Sequence, residues 1–196
     1  MSLDYAILSF LHFSPMSGYD LKKFFDDSIN HFWSTTQSHI YRALGQMETR
    51  GWITHEIFEQ DGRPNRKVYS ITPLGSQHLH TWLTTPLPLD DLREAWLIQI
   101  FFAHNLSNPE IEGLLTARLE AVKEKLRSLQ VDAQEAIDRN ARNIGIARAR
   151  ALWQMTLDYG IAAYKAEITW LEEAIEQSKH LPALSAPYPP SQTERE

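Results

Sequence analysis

Residues 34–42 hold a concentration of short polar side chains whose chemistry suits base recognition. Hydroxyl, amide, imidazole and guanidinium groups form the hydrogen bonds by which proteins read base edges in the DNA major groove. Ile40, Leu44 and Met47 recur at spacings of four and three, which predicts a helix whose other face lies in a core. An ordinary amphipathic surface helix is the alternative. The candidate contacts in this stretch are Ser34, Thr35, Thr36, Gln37, Ser38, His39, Tyr41 and Arg42.

The ends of this helix carry their own signals. Ser34 and Gln37 have the spacing of a capping box, in which each side chain bonds the amide of the other residue. Gly51 is placed to end the helix in a left-handed conformation. A second capping signal, Thr72 followed by Pro73, predicts a further helix later in the chain.

A second group of candidate contacts is basic and follows the helix directly. Residues 52–58 and 67–71 are rich in β-branched and aromatic side chains, with a polar loop containing Gly and Pro between them. This pattern predicts a β-hairpin. Alone, such a basic hairpin loop would simply be solvated. Directly after a DNA-recognition helix, such a hairpin is interpreted as a wing. Its Arg63, Arg66 and Lys67 would contact phosphates or the adjacent minor groove.

The elements before the reading helix complete a helix-turn-helix pattern. Residues 3–13 have the periodicity of a helix. Ser17 and Asp20 form a capping box that starts a second helix, whose exposed side carries Lys22 and Lys23. We include these two lysines among the candidate DNA contacts. Three helices followed by a hairpin are the arrangement of a winged helix-turn-helix domain.

Composition bounds what the chain can do. The 196 residues are 43% apolar, enough for a real core, and include no cysteine, which excludes a disulfide framework and a thiol nucleophile. The net charge is −6, and residues 1–86 carry seven Lys/Arg against eight Asp/Glu. Such a half can bind DNA only if its cations share one face. The sequence has no signal peptide and no membrane-spanning run, so we expect a cytoplasmic protein.

The sequence has no catalytic signature. His78 and His80 lie two residues apart, on different sides of a helix, which is not the geometry of a metal site. A glycine-rich phosphate loop, a GxSxG motif and an HExxH motif are all missing. We therefore expect no enzyme, no metal and no cofactor.

The second half of the chain predicts helices and an assembly surface. We expect helices over residues 90–104, 107–137 and 142–179. The last carries two adjacent apolar stripes, which need two partners: the preceding helix and a second subunit. Leaving one stripe exposed to water would lose up to ~15 kcal/mol of hydrophobic stabilisation, which exceeds the free energy of unfolding of a typical domain. An intramolecular bundle that uses both stripes is the alternative. The candidate dimerisation residues are Leu152, Met155, Tyr159, Ile161, Tyr164, Ile168, Leu171 and Ile175.

Aromatic residues in this half suggest an effector pocket. Trp96, Trp153 and Trp170, with Tyr159, could line a cavity near the dimer axis for a small aromatic compound. The alternative is that they are ordinary core residues.

The N-terminal residues resemble the PadR-family transcriptional regulators. The matching sequence motifs are Ser17-Gly18-Tyr19-Asp20-Leu21, Tyr41-x-x-Leu44-x-x-Met47-Glu48-x-x-Gly51-x-Ile53, Gly62-Arg63, and Arg66-Lys67-x-Tyr69-x-Ile71-Thr72-x-x-Gly75. They occur in the right order over residues 1–83. The helical second half is similar to the C-terminal region of virulence gene activators.

This resemblance implies a homodimeric winged-helix regulator, usually a repressor, bound to a palindromic operator. It assigns DNA contacts to Tyr41 and its polar neighbours and to the wing cations. Many relatives have a Gly-Ser pair where this chain has Gln37-Ser38, so the resemblance does not assign a base preference to this helix. A winged-helix module that binds protein and not DNA is the competing function.

The predicted fold class is mainly α with a small β-wing. We divide the chain into a winged helix-turn-helix domain (1–84), a linker (85–88), an α-helical dimerisation domain (89–181) and a Pro-rich flexible tail (182–196).

Overall fold

The computed structural model describes residues 2–59, 65–89, 91 and 93–182. Arg63, a predicted wing contact, and residues 183–196 of the predicted tail lie outside these ranges. The chain forms two compact units. One, the winged-helix unit, comprises Met1–Pro88 and Glu135–Trp153, and the other, the helical unit, comprises Leu89–Gln134 and Gln154–Glu196.

Four helices of the winged-helix unit surround one apolar core. They are α1 (Ser2–Phe13), α2 (Gly18–Asp26), α3 (Gln37–Thr49) and α4 (Pro73–Thr84). The predicted caps of α2 and α4 are confirmed: Asp20 N donates to Ser17 Oγ, and Gly75 N donates to Thr72 Oγ1. The buried core comprises Ile7, Leu8, Phe10, Leu11, Met16, Leu21, Phe25, Ile40, Ala43, Leu44, Met47, Ile53, Tyr69 and Leu79.

The predicted hairpin is confirmed, and the structure extends it to an antiparallel sheet of three strands. These are β1 (Met16–Ser17), β2 (Ile53–Phe58) and β3 (Arg66–Ile71), in the spatial order β1-β3-β2. The sequence analysis did not predict β1, because two residues are too short to show alternation. Through β1 the start of α2 is joined to the wing, since Ser17 pairs with Val68.

The start of α3 corrects one sequence prediction. Ser34 is not the N-cap, because the helix begins at Gln37 and the Thr36 hydroxyl accepts from His39 N at 3.3 Å. Thr36 therefore caps the helix two residues later than predicted. At the other end Gly51 has φ 72°, the left-handed conformation expected of it.

A segment from the second half of the chain belongs to the winged-helix unit. Helix α7 (Gln134–Ile144) contributes Asn140, whose buried side chain donates to the Asp27 carbonyl oxygen at 2.8 Å. The sequence division at residue 89 places these residues in the dimerisation domain, whereas residues 135–153 pack with the first unit.

The helical unit is built on α6 (Asn108–Ser128) and α8 (Ala147–Ser178), with the short α5 (Ala95–Phe101) and a 3₁₀ turn at Ala103–Asn105 before them. The predicted capping box at Ser107 is confirmed. The helix predicted over 107–137 is instead interrupted by a π-helical turn at Leu129–Ala133. The core of this unit comprises Ala103, Ile111, Leu115, Leu119, Val122 and Leu171.

Candidate nucleic-acid interface

The N-terminal half of α3 presents the polar face that the sequence predicts. Ile40, Ala43 and Leu44 point into the core, which turns the intervening positions to solvent. Thr35 is half-buried. The remaining predicted contacts of this stretch are all exposed: Ser34, Thr36, Gln37, Ser38, His39, Tyr41 and Arg42.

Tyr41 is held against the start of α2. Its side chain is 47% exposed, yet its ring lies so close to Gly18 that a Cβ there would stand 2.6 Å from Tyr41 Cε1. Real Cβ atoms do not approach a ring this closely, so any larger residue at Gly18 would displace the tyrosine. The absence of a side chain at Gly18, in the Ser17-Gly18-Tyr19 motif, therefore allows Tyr41, a predicted DNA contact, to lie in this position.

Arg66, the first residue of β3, is bound to the same end of α2. Its Nη2 donates to Asp20 Oδ2 at 2.6 Å. That oxygen also accepts from Ser17 N at 3.1 Å and from Ser17 Oγ at 2.7 Å. One oxygen of Asp20 thus completes the capping box of α2 and anchors a wing cation.

These contacts change the acidity of Asp20. Partial burial is the largest single influence and raises the pKa, but the hydrogen bonds from Ser17 and Arg66 together outweigh it. The pKa of the carboxyl therefore lies below its ordinary value of 3.8. Asp20 is ionised at neutral pH, which keeps the charge-assisted bond to Arg66 in place.

One predicted contact of α3 and two of the wing line the same open cleft. It has a volume of about 660 Å³ and is lined by Ser17, Gly18, Tyr19, Asp20, Tyr41, Asn65, Arg66, Lys67 and Tyr69. Burial raises the pKa of the Tyr69 hydroxyl, and the nearby Glu48 and Tyr41 add to this effect. The cleft thus joins Tyr41 of α3 to Arg66 and Lys67 of the wing.

Two other predicted cations lie on α2. Lys23 is exposed, whereas Lys22 is half-buried and pairs with Asp26 one turn along the helix. Sequence reasoning missed Asp20, Tyr19 and Asn65 as parts of the site. Asp20 had a sufficient explanation as a cap, and no sequence signal links it to an arginine 46 residues away.

The dimerisation residues predicted on α8 divide between two faces. Leu171 is fully buried, and Tyr164, Ile168 and Ile175 pack around it in the core of the helical unit. The sequence analysis assigned these four to a dimer interface; the structure corrects this for Leu171, which is enclosed in the protomer's own core, while the other three are half-buried against that core. Ile161 is half-buried, and the exposed members of the set are Leu152, Met155 and Tyr159.

The helical unit also exposes apolar side chains on α5. Ile98, Phe101 and Phe102 are more than half exposed and border an apolar groove of about 590 Å³. On α8, Met155 is 65% and Tyr159 78% exposed. Soluble proteins rarely leave contiguous apolar patches in water unless a partner covers them.

Two of the predicted effector residues are in contact. The ring centroids of Trp96 and Trp170 lie 5.6 Å apart. The guanidinium carbon of Arg118 lies 4.9 Å from the centroid of the Trp96 ring. Arg118 is bonded in turn to Glu167 at 2.7 Å. Trp153 belongs to the winged-helix unit.

Neither a membrane-spanning helix nor a cluster of metal-binding side chains occurs among the residues that the structure describes. Within those residues no helix is long and apolar enough to cross a membrane. The same residues contain no group of three or more His, Asp or Glu side chains placed to hold a metal ion.

Two family models match the chain. The model of the transcriptional regulator PadR-like family matches residues 7–81, and that of the virulence activator alpha C-terminal region matches residues 92–179. Together they account for both halves of the sequence.

Two relatives match over nearly their whole length. The negative transcriptional regulator PadR of Bacillus subtilis is 28% identical over 174 residues, 88% of this chain and 95% of that protein. The probable transcriptional regulator Rv1176c of Mycobacterium tuberculosis is 32% identical over 185 residues, 90% of this chain and 97% of that protein.

Solved structures of the Bacillus protein share the fold. Its complex with operator DNA aligns with a TM-score of 0.76 at 27% identity, covering 91% of this chain and 99% of that chain. Its complex with p-coumaric acid aligns with a TM-score of 0.73 at the same identity and coverage.

Proposed function

The chain belongs to the PadR-like family of transcriptional regulators, and we propose that it is a repressor that binds operator DNA. The exposed polar face at the start of α3, beside the wing cations, carries this proposal. In helix-turn-helix proteins the N-terminal residues of the recognition helix contact base edges in the major groove. The similar Bacillus subtilis PadR has been crystallised with operator DNA. The proposed role is binding alone, without catalysis or a cofactor.

We propose that the binding species is a homodimer on a palindromic operator. The apolar side chains exposed on α8 and α5 support a second copy as the partner, because burying them removes apolar surface from water. A two-fold axis would place two α3 helices on half-sites ~34 Å apart. It would also double the wing cations, which matters for a chain of net charge −6.

DNA selection tests the function directly. Purified protein is mixed with fragmented DNA of the source genome, and bound fragments are sequenced. We expect enrichment of a palindromic sequence whose half-sites lie one helical turn apart. Failure to retain any DNA at low ionic strength would instead favour a winged-helix module that binds protein.

Two sets of variants would separate base reading from phosphate contact. Gln37→Ala should change which sequence is preferred. Arg66→Ala with Lys67→Ala should weaken binding to all sequences and reduce the salt slope by ~2 per protomer. Arg127→Ala with Lys179→Ala removes the same charge from the helical unit and is the matched control. Equal effects of the two double variants would show that net charge, and not the wing, determines affinity.

We further propose that a small aromatic compound releases the DNA. The p-coumaric acid complex of the Bacillus relative supports this proposal. Because Trp96 and Trp170 are in contact, a ligand bound beside them should change tryptophan fluorescence. Titration with p-coumaric acid should then alter fluorescence and lower operator affinity together, and Trp96→Phe should remove most of the fluorescence change. If p-coumaric acid and related phenolic acids change neither signal, this effector class is excluded.

A further inference from the structure

We propose that Asp20, an acidic residue, is a positioning residue for DNA binding: it holds the wing's Arg66 in the orientation that meets a phosphate. The inference rests on the proposed function, since it concerns how the DNA-binding surface is held. Asp20 would not itself contact DNA. It would act through Arg66, to which it is bonded at 2.6 Å.

Asp20 is itself held in place by two hydrogen bonds from Ser17. The oxygen that accepts from Arg66 also accepts from the amide and the hydroxyl of Ser17. Ser17 is buried, and it pairs with Val68 of the wing strand. The wing is thus joined to the start of α2 by a strand pairing and by an ion pair, so the arginine is bound to a fixed point of the scaffold.

Such an arrangement leaves Arg66 able to bind a second anion. A guanidinium has five N–H donors in a planar fork, and the bond to Asp20 uses Nη2. The side chain remains about half exposed, at the edge of the cleft that contains Tyr41 and Lys67. An arginine that is already ordered loses less conformational freedom when it binds a phosphate.

Charge alone predicts the opposite effect of Asp20. A carboxylate on a DNA-facing surface repels phosphates, so neutralising it should strengthen binding to every sequence. If Asp20 positions Arg66, neutralising it should weaken binding, because the released arginine must be ordered during association. The two roles therefore predict opposite changes in operator affinity when Asp20 is neutralised.

The experiment measures operator affinity of the full chain, with the operator found by selection. Asp20→Asn retains an acceptor for the Ser17 amide but loses the charge that binds Arg66. We expect it to weaken operator binding about three- to tenfold. In an Arg66→Ala background the same change should cause no further loss of affinity, because the arginine that it would release is absent; binding should be unchanged or slightly stronger. Asp26→Asn is the matched control, because Asp26 lies on the same helix and pairs with Lys22; binding should be unchanged or stronger.

Several outcomes would overturn the proposal. One is that Asp20→Asn binds as tightly as the wild type, or more tightly. Another is that Asp20→Asn weakens binding equally with and without Arg66, which would mean that it acts through the fold. Thr72→Ala, which removes the cap of α4 and leaves Ser17, Asp20 and Arg66 in place, tests this second route. It should lower the melting temperature with little loss of affinity, and an equal loss would also refute positioning. Wild-type binding is measured first, so a failure of the proposed function would be seen separately.

Discussion

The winged-helix unit and the helical unit differ in the side chains that they expose. In the first, the exposed face of α3 is polar, and the wing's Arg66 is fixed by Asp20. In the second, α8 exposes an apolar stripe that includes Leu152, Met155 and Tyr159. Polar groups on a rigid frame suit a charged partner of fixed geometry, whereas an apolar face suits another apolar face. One chain thus carries surfaces for two kinds of partner.

The difference also lies in how each surface is supported. The DNA-binding candidates depend on capping bonds and on the close approach of Tyr41 to Gly18. The face on α8 depends on the opposite side of the same helix, where Leu171 is buried in the core. The following experiments, ordered by expected effect, test whether these two kinds of support are independent.

The largest effect should come from the buried side of α8. Leu171→Ala should lower the free energy of unfolding by ~2–5 kcal/mol, because it leaves a cavity among packed side chains. Urea unfolding at several protein concentrations measures the change. Met155→Ala is the control on the exposed side, and its effect should depend on concentration, as expected of a dimer contact. If both effects were concentration-independent and equal, α8 would not have two distinct faces.

A smaller effect is expected on assembly. Met155→Glu with Tyr159→Glu should raise the dimer dissociation constant at least about tenfold, because charges would be buried without partners. Sedimentation at decreasing concentration measures this change, and circular dichroism checks the fold. Lys165→Glu alters the net charge by the same amount on a different side of the helix and should leave the dimer intact. Unchanged sedimentation of the double variant would remove this face from the interface.

Removing the N-cap of α3 should lower the free energy of unfolding by ~1 kcal/mol. Thr36→Ala removes the hydroxyl that accepts from His39 N, which typically costs 0.5–2 kcal/mol, or ~1 kcal/mol. Ser34→Ala should change stability by less than ~0.5 kcal/mol, because that residue precedes the helix. Thermal unfolding of the two variants separates them. A larger loss of stability for Ser34→Ala than for Thr36→Ala would show that Ser34 is the N-cap, as the sequence predicted.

The smallest effect should appear in the pH dependence of stability. The pKa of Asp20 is lower in the folded protein than its ordinary value of 3.8, so the folded state binds fewer protons. Its contribution is therefore fully present above that value and is lost as pH falls through the lowered pKa. The carboxyl is 37% exposed, so solvent screening keeps the contribution small. Unfolding of wild type and Asp20→Asn from about pH 7 to about pH 2 should show the two stabilities converging in acid; a constant difference would contradict this assignment.

Local signals predicted much of the fold because their physics acts over a few residues. The Ser17–Asp20 and Ser107–Glu110 capping boxes join residues three positions apart, and both formed as expected. The strands of the hairpin and the left-handed Gly51 also follow from short patterns. The N-cap of α3 was misplaced because Ser34 and Thr36 have the same capping chemistry, and the local patterns did not tell them apart.

The candidate site was predictable in some of its members, such as Tyr41, Arg66 and Lys67, but not in its connections. The exposed polar face of α3 follows from its periodicity, whereas the Arg66–Asp20 pair joins residues 46 positions apart. Similarly, periodicity found both stripes of α8 without showing which one packs within the protomer. The bond from Asn140 to Asp27, 113 positions apart, likewise had no sequence signal.

By itself, then, the sequence determined most of the helices, the two strands of the hairpin and which faces are apolar, because capping, alternation and helical period are local properties of the chain. Tertiary structure alone decided that β1 joins α2 to the wing, that Asp20 holds Arg66, and that Leu171 faces its own core and not a second subunit. These contacts join residues far apart in sequence. Their geometry exists only after the chain has folded.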